Sequence, residues 1–198
     1  MNLANKLTVT RICLVPLFIV FIELQTFWSI LLAAAVFSAA SITDLLDGKI
    51  ARRSNTITSL GVFLDPLADK LLISAAFICF VNIPVLGIPA WVVVAIVSRE
   101  FLIGGLRTIA ATKSVIIPAD KAGKFKTIFQ IIAILVILLV LVINTYYWEF
   151  CDFEGYHCVL ALILDKTPFW VALITAILTI YSGVCYIWKH KDLLKEDA

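Results

Sequence analysis

Four aspartates define the chemistry this chain can do. Asp44 and Asp47 stand three residues apart, and Asp65 and Asp69 four apart, so on a helix each pair projects from one face. Two such helices in an antiparallel hairpin, joined by the basic polar turn around Arg52 to Ser59, would bring all four carboxylates to one point. Without counter-ions the cluster repels itself and takes up protons, whereas two divalent cations cancel its formal charge. Oxygen-only ligands favour hard ions, Mg²⁺ or Mn²⁺, over zinc. Gly48, directly after Asp47, leaves room for a phosphate to reach the backbone, and Ala51 keeps the same face low one turn on. Arg52 then offers a rigid fork suited to phosphate oxygens. Two metals in such a cage could clamp a pyrophosphate and stabilise a departing phosphate. The bland alternative is a set of helix-end charges flanking a solvated loop. That account serves one aspartate better than four at these spacings with small residues interleaved.

The elements that must carry these residues are membrane spans. Of 198 residues, 62% are hydrophobic and 15% charged, and the mean hydropathy is +1.04, far from soluble domains. At roughly 20 apolar residues per span, the length allows one all-α integral membrane domain, residues 1–198, of six transmembrane helices. The expected spans are about 9–27, 29–47, 62–81, 88–106, 127–147 and 167–188, with Pro84 and Pro89 bracketing a tight turn. The polar start, residues 1–7, precedes a long apolar run without a cleavage site, which reads as a retained first helix rather than a signal peptide. An even number of spans puts both termini on one side. Fifteen of the 16 Lys and Arg fall on or near that side, Lys166 being the exception. The positive-inside rule therefore makes the termini and the aspartate hairpin cytoplasmic.

A second polar group lies at the end of the fourth span and the start of the fifth. Arg99 and Glu100, inside an apolar helix, form a bundle-facing pair or join the polar site. Arg107 lies eight residues after Arg99 on roughly the same face, and Lys124 and Lys126 open the fifth span. Beside a carboxylate-metal site, Arg107, Lys124 and Lys126 make a pocket for an anionic second substrate; read alone, they serve equally as topology determinants and headgroup contacts. Thr8 and Arg11 begin the first span, where Arg11 could snorkel to the headgroups, reach a lipid phosphate or act as a positive-inside anchor. Tyr146, Tyr147 and Trp148 fit an aromatic belt on the outer side. Cys151 and Cys158 either pair there or stay as thiols, and with His157 they form a weak metal-site pattern lacking paired short spacing. Cys13, Cys79 and Cys185 read as packing residues.

Asp44-x-x-Asp47-Gly48-x-x-Ala51-Arg52, eight residues, then Gly61-x-x-x-Asp65-x-x-x-Asp69 resembles in full the signature of the CDP-alcohol phosphatidyltransferases. Ser98-Arg99-Glu100 with Leu106-Arg107, Gly123-Lys124-x-Lys126-Thr127, the opening Asn5-x-Leu7-Thr8-x-x-Arg11 and the closing Ser182-Gly183 look like the phosphatidylglycerophosphate-forming branch of that family. The resemblance implies CDP-diacylglycerol as donor and sn-glycerol 3-phosphate as acceptor. It implies Asp44, Asp47, Asp65 and Asp69 as metal ligands, Asp69 also as general base, and Gly48, Ala51, Arg52 and Gly61 at the donor with the first aspartates. Arg107, Lys124 and Lys126 would hold the acceptor's phosphate. It further implies a homodimer, membrane lipid as a partner and no nucleic acid. The expected location is a cytoplasmic membrane with the site facing the cytoplasm, and the absence of a transit peptide leans bacterial. Two other readings are weighed against this one. The first is the same chemistry with inositol phosphate, serine or phosphatidylglycerol as acceptor; the second is a cation transporter using the aspartates as its ion site. The transporter fits poorly, because the carboxylates lie off the midplane, no inverted repeat is visible and Arg52 would repel the ion.

Overall fold

A computed structural model describes the backbone of residues 3–54, 59–112, 121–150 and 159–189, and within them the side chains of 8–43, 68, 70–108, 110, 125–150 and 164–189. Six α-helices follow in order: α1 (Leu3–Glu23), α2 (Phe27–Ser54), α3 (Ser59–Val81), α4 (Ala90–Thr112), α5 (Lys121–Phe150) and α6 (Val159–Lys189). No strand occurs among the described residues. The all-α, six-helix architecture expected from the sequence is the one observed.

Several helices outrun the expected spans, because hydropathy marks only their apolar middles. α2 continues through Lys49, Ala51, Arg52 and Arg53, mostly good helix formers, and ends at Ser54. Arg52 therefore stands in a helix and not in a turn, with only residues 55–58 before α3. α5 runs on to Phe150, so Tyr146, Tyr147 and Trp148 occupy its last turns. α6 passes through Pro168, which removes one backbone hydrogen bond without ending the helix.

The first connection also lies earlier than expected. Gln25 adopts a left-handed φ of 48°, and Thr26 and Ser29 cap α2 reciprocally: the Thr26 N–H donates to Ser29 Oγ (3.1 Å) and the Ser29 N–H to Thr26 Oγ1 (3.3 Å). The Phe27 N–H donates to Glu149 Oε2 (2.9 Å), a carboxylate at a helix N-terminus. This ties the end of α5 to the start of α2, and Phe27, Tyr146 and Phe150 stack around the junction with ring centroids 5.4–5.5 Å apart. Between α3 and α4 a 3-10 turn, Pro84–Leu86, is closed by Gly87 at φ 58°, whose N–H donates to the Pro84 carbonyl; only glycine adopts that backbone at no steric cost.

α1 packs on both α2 and α3, more extensively than those two helices pack on each other among the described residues. The aspartate-bearing helices are thus not a simple two-helix hairpin. Apolar α1 fills the space between them, with Phe18 against Phe37 of α2 (centroids 5.9 Å) and Val15 and Ile22 in one core with Phe77 and Phe80 of α3. Phe18→Ala should lower stability by about 3–5 kcal/mol, as expected for a fully buried phenylalanine, measured as a lower melting temperature in detergent. α4 packs on α6, and α5 on α6 and α2, completing the bundle.

The outside of the bundle is apolar too, with Leu17, Val20, Trp91, Val94, Phe101, Leu139 and Ile177 exposed. Among the described residues, Phe125–Phe150 and Leu164–Lys189 are long and apolar enough to cross a membrane, and Phe27–Thr43 and Lys70–Val81 are shorter apolar stretches. Cys79 is buried as a packing residue, whereas Cys13 and Cys185 lie exposed on the bundle surface, apart from the packing role their sequence context suggests. Cys151, His157 and Cys158 lie outside the described residues.

Candidate active site

α2 is helical without a break through positions 44 and 47, and α3 through 65 and 69. Each aspartate pair therefore occupies one helix face, near the ends that residues 55–58 join. Gly48, Ala51 and Arg52 follow on α2, and Gly61 stands in the first turn of α3. The side chains of Asp44, Asp47, Gly48, Ala51, Arg52, Gly61, Asp65 and Asp69 lie outside the described residues, as does that of Lys124. Among the described residues no three His, Cys, Asp or Glu side chains gather as a metal site. The fit to a metal rests on the donor set itself: four carboxylates on two helical faces, a hard-oxygen set that suits Mg²⁺ or Mn²⁺.

Arg11 and Thr8 are buried to 3% and 2% exposure on α1, the helix packed between α2 and α3. Burial turns Arg11 into the bundle and away from the lipid rim.

The ends of α4, α5 and α6 meet in a polar network that explains several otherwise costly residues. Glu100 is its centre. It pairs with Lys126 Nζ of α5 and accepts from Gln130 Nε2 at 3.2 Å, while Arg99 Nη1 lies 3.9 Å from the same oxygen. Lys126 and Gln130 are 7% and 1% exposed, so this carboxylate satisfies donors that would otherwise be stranded in an apolar interior. Arg99 Nη2 donates to Ser182 Oγ at 2.9 Å. The next residue, Gly183, makes way for the arginine: a Cβ there would stand 2.8 Å from Arg99 Cγ. The Ser182-Gly183 pair thus has a plain physical reason, one residue accepting the guanidinium and the other clearing its path. Glu100→Ala should destabilise the protein by about 3 kcal/mol, because it leaves a buried ammonium without its counter-charge; thermal melting in detergent measures this, and Glu100→Gln should fall between.

Arg107 is set differently. Its Nε donates to Tyr186 Oη at 3.3 Å, and its guanidinium carbon lies 5.5 Å from the centroid of the Tyr186 ring, a cation–π arrangement. Tyr186 is buried and Arg107 exposed, so the ring props the guanidinium at the surface of the bundle end. Seven residues of α4 separate Arg107 from Glu100, about 10 Å along the axis. The cations expected to act together therefore occupy two levels: Arg107 at the mouth, Lys126 deeper and engaged by Glu100. Sequence reasoning did not single out Gln130 or Tyr186. Gln130 carried a signal, a lone amide four residues after Lys126 in an apolar run; Tyr186 resembled any interfacial aromatic.

Two helices that each carry an aspartate pair near the ends that residues 55–58 join define a class. The chain belongs to the CDP-alcohol phosphatidyltransferase family, whose family model matches residues 1–181. It is similar to proteins named CDP-diacylglycerol–glycerol-3-phosphate 3-phosphatidyltransferase, over nearly its whole length in two of three cases. That of Bacillus subtilis (strain 168) is 40% identical over 206 residues, covering 98% of this chain and 97% of the relative. That of Rickettsia bellii (strain RML369-C) is 34% identical over 186 residues, covering 93% of each. That of Pseudomonas fluorescens is 37% identical over 145 residues, covering 70% of this chain and 72% of the relative.

Proposed function

We propose that this chain transfers the phosphatidyl group of CDP-diacylglycerol to sn-glycerol 3-phosphate, giving phosphatidylglycerophosphate and CMP in phospholipid synthesis. The observation that carries the reading is the complete aspartate signature within a chain that matches relatives of this activity from end to end. Family membership removes the ground for a cation transporter.

The substrate fits a site at a membrane surface, with acyl chains in the bilayer, nucleotide in water and pyrophosphate between. Asp44, Asp47, Asp65 and Asp69 would hold two divalent ions, Mg²⁺ or Mn²⁺, in keeping with a family that generally uses divalent metals. When bound, such ions clamp the pyrophosphate and offset the charge that develops on the leaving phosphate. Gly48 and Ala51 keep the α2 face low enough for the nucleotide phosphates, Arg52 binds their oxygens, and Gly61 serves the donor from α3. Asp69 takes the proton from the 1-hydroxyl of glycerol 3-phosphate. The hydroxyl oxygen bonds to the lipid-linked phosphorus as the bond from that phosphorus to the CMP oxygen breaks, and CMP departs. Arg107 and Lys124 hold the acceptor's phosphate at the mouth, and Lys126, assigned to the same phosphate by the resemblance, lies below them with its charge met by Glu100.

The chain is read as one six-span domain in a cytoplasmic membrane, with termini and site in the cytoplasm on the strength of its basic residues, and as a homodimer on the resemblance to its family. CMP release by purified protein, with CDP-diacylglycerol, Mg²⁺ and each acceptor in turn, tests the assignment. Release with glycerol 3-phosphate alone is expected; release with serine, inositol phosphate or phosphatidylglycerol instead would keep the aspartate site and discard the acceptor. Arg107→Ala should raise the acceptor KM about tenfold or more, the worth of one charge-assisted hydrogen bond, and leave the donor KM nearly unchanged. Lys124→Ala should act in the same direction. Unchanged acceptor KM in both variants would remove the basic pocket.

A further inference from the structure

Two adjacent glycines on α4 differ in what surrounds them. A Cβ on Gly105 would meet open space, but a Cβ on Gly104 would fall in the volume held by the ammonium of Lys70. Glycine inside a helix is unfavourable relative to alanine, and at position 104 the missing side chain is what lets the Lys70 head lie against the α4 backbone. The Gly104 carbonyl accepts from Thr108 Oγ1 at 3.1 Å, so α4 keeps its own bonding around this notch.

The place of the notch gives it meaning. Lys70 directly follows Asp69 on α3. Gly104 lies one turn beyond Glu100, the partner of Lys126, and three residues before Arg107, the exposed guanidinium propped on Tyr186. The Lys70 ammonium therefore lies against α4 at a level between Glu100 and Arg107, on the helix face that Gly104 shares with both, and its chain neighbour on α3 is the proposed base. An acceptor that presents a hydroxyl to Asp69 and, a few bonds away, a phosphate to Arg107 would pass this point. We infer that Lys70, seated in the Gly104 notch, is an acceptor-binding residue that contacts the phosphate monoester together with Arg107. The inference rests on the proposed reading that the acceptor carries such a phosphate. An ammonium suits this place because it is a compact point charge that a missing methyl can seat; a guanidinium is too broad for the same notch.

The contact makes an unusual test possible, because the obstructed atom is the far end of a flexible side chain. Gly104→Ala should push the ammonium aside and leave the fold intact, with the melting temperature unchanged or raised by alanine's better helix propensity. Purified protein assayed by CMP release should show an acceptor KM raised about tenfold in Gly104→Ala, at least as much in Lys70→Ala, and a donor KM within about twofold of wild type. The double variant should match Lys70→Ala, since the added methyl acts only through the ammonium. Lys70→Arg should fail to restore the acceptor KM, and Gly105→Ala should leave it unchanged. If wild type uses glycerol 3-phosphate and Gly104→Ala binds it normally, or if the two substitutions add, Lys70 does not bind the acceptor. A lower melting temperature with both KM values shifted alike would make Lys70 a structural residue and overturn the inference. If wild type releases CMP only with acceptors lacking a phosphate monoester, the proposed reaction falls and this inference falls with it.

Discussion

Asp69→Asn should cut CMP release on the order of a thousandfold while the protein still inserts and purifies with unchanged helicity. The size follows from losing two roles at once. General-base assistance alone contributes about 10²–10⁴-fold, and an amide oxygen is a poorer ligand for a hard cation than a carboxylate. The substitution preserves shape, so α3 keeps its helix through positions 65 and 69 and the effect reports chemistry rather than folding. Asp65→Asn separates the two roles. Assigned only to metal binding, it should recover part of its activity when Mg²⁺ is raised, because added ion offsets a weakened ligand set. Asp69→Asn should not, since no concentration of cation replaces a missing base. Normal turnover in Asp69→Asn would end its catalytic assignment, and full recovery at high Mg²⁺ would reduce it to a ligand.

What sequence could show about this protein divides along the range of the interactions involved. The aspartate spacing, the six helices and the turn between Pro84 and Pro89 depend on residues close in the chain, and helical periodicity and turn chemistry make them legible. Helix ends were less so. Apolar composition does not register the polar turns that α2 adds beyond residue 47, or the turns that α6 adds before residue 167. The capping pair Thr26 and Ser29 did mark the start of α2, a local signal outweighed by the continuous hydropathy around it. Tertiary partnerships were not readable. Nothing in the spacing of Glu100 and Lys126 says that one carboxylate on α4 holds an ammonium on α5, or that Gly104 makes room for a lysine from α3. The insertion of α1 between the two aspartate helices belongs to the same group: an apolar helix does not say which grooves it will fill.

Chelating divalent cations should stop turnover completely, and the same treatment should change stability, which makes the metal requirement testable apart from catalysis. If the four carboxylates of α2 and α3 share one site, they would repel one another when no cation is present. Added Mg²⁺ or Mn²⁺ should therefore raise the melting temperature, by the equivalent of about 2.7 kcal/mol at a hundredfold excess over the dissociation constant. The stabilisation should shrink in Asp44→Asn or Asp65→Asn, which remove both a ligand and a share of the repulsion. Zn²⁺ should restore less activity than Mg²⁺ or Mn²⁺, because an oxygen-only site gives it none of the nitrogen or sulfur ligands it prefers. Activity retained in excess chelator would refute the two-metal reading. Activity lost without any metal-dependent shift in melting would instead place the cation on the substrate's pyrophosphate, with the aspartates receiving a metal-bound donor rather than a resident pair of ions.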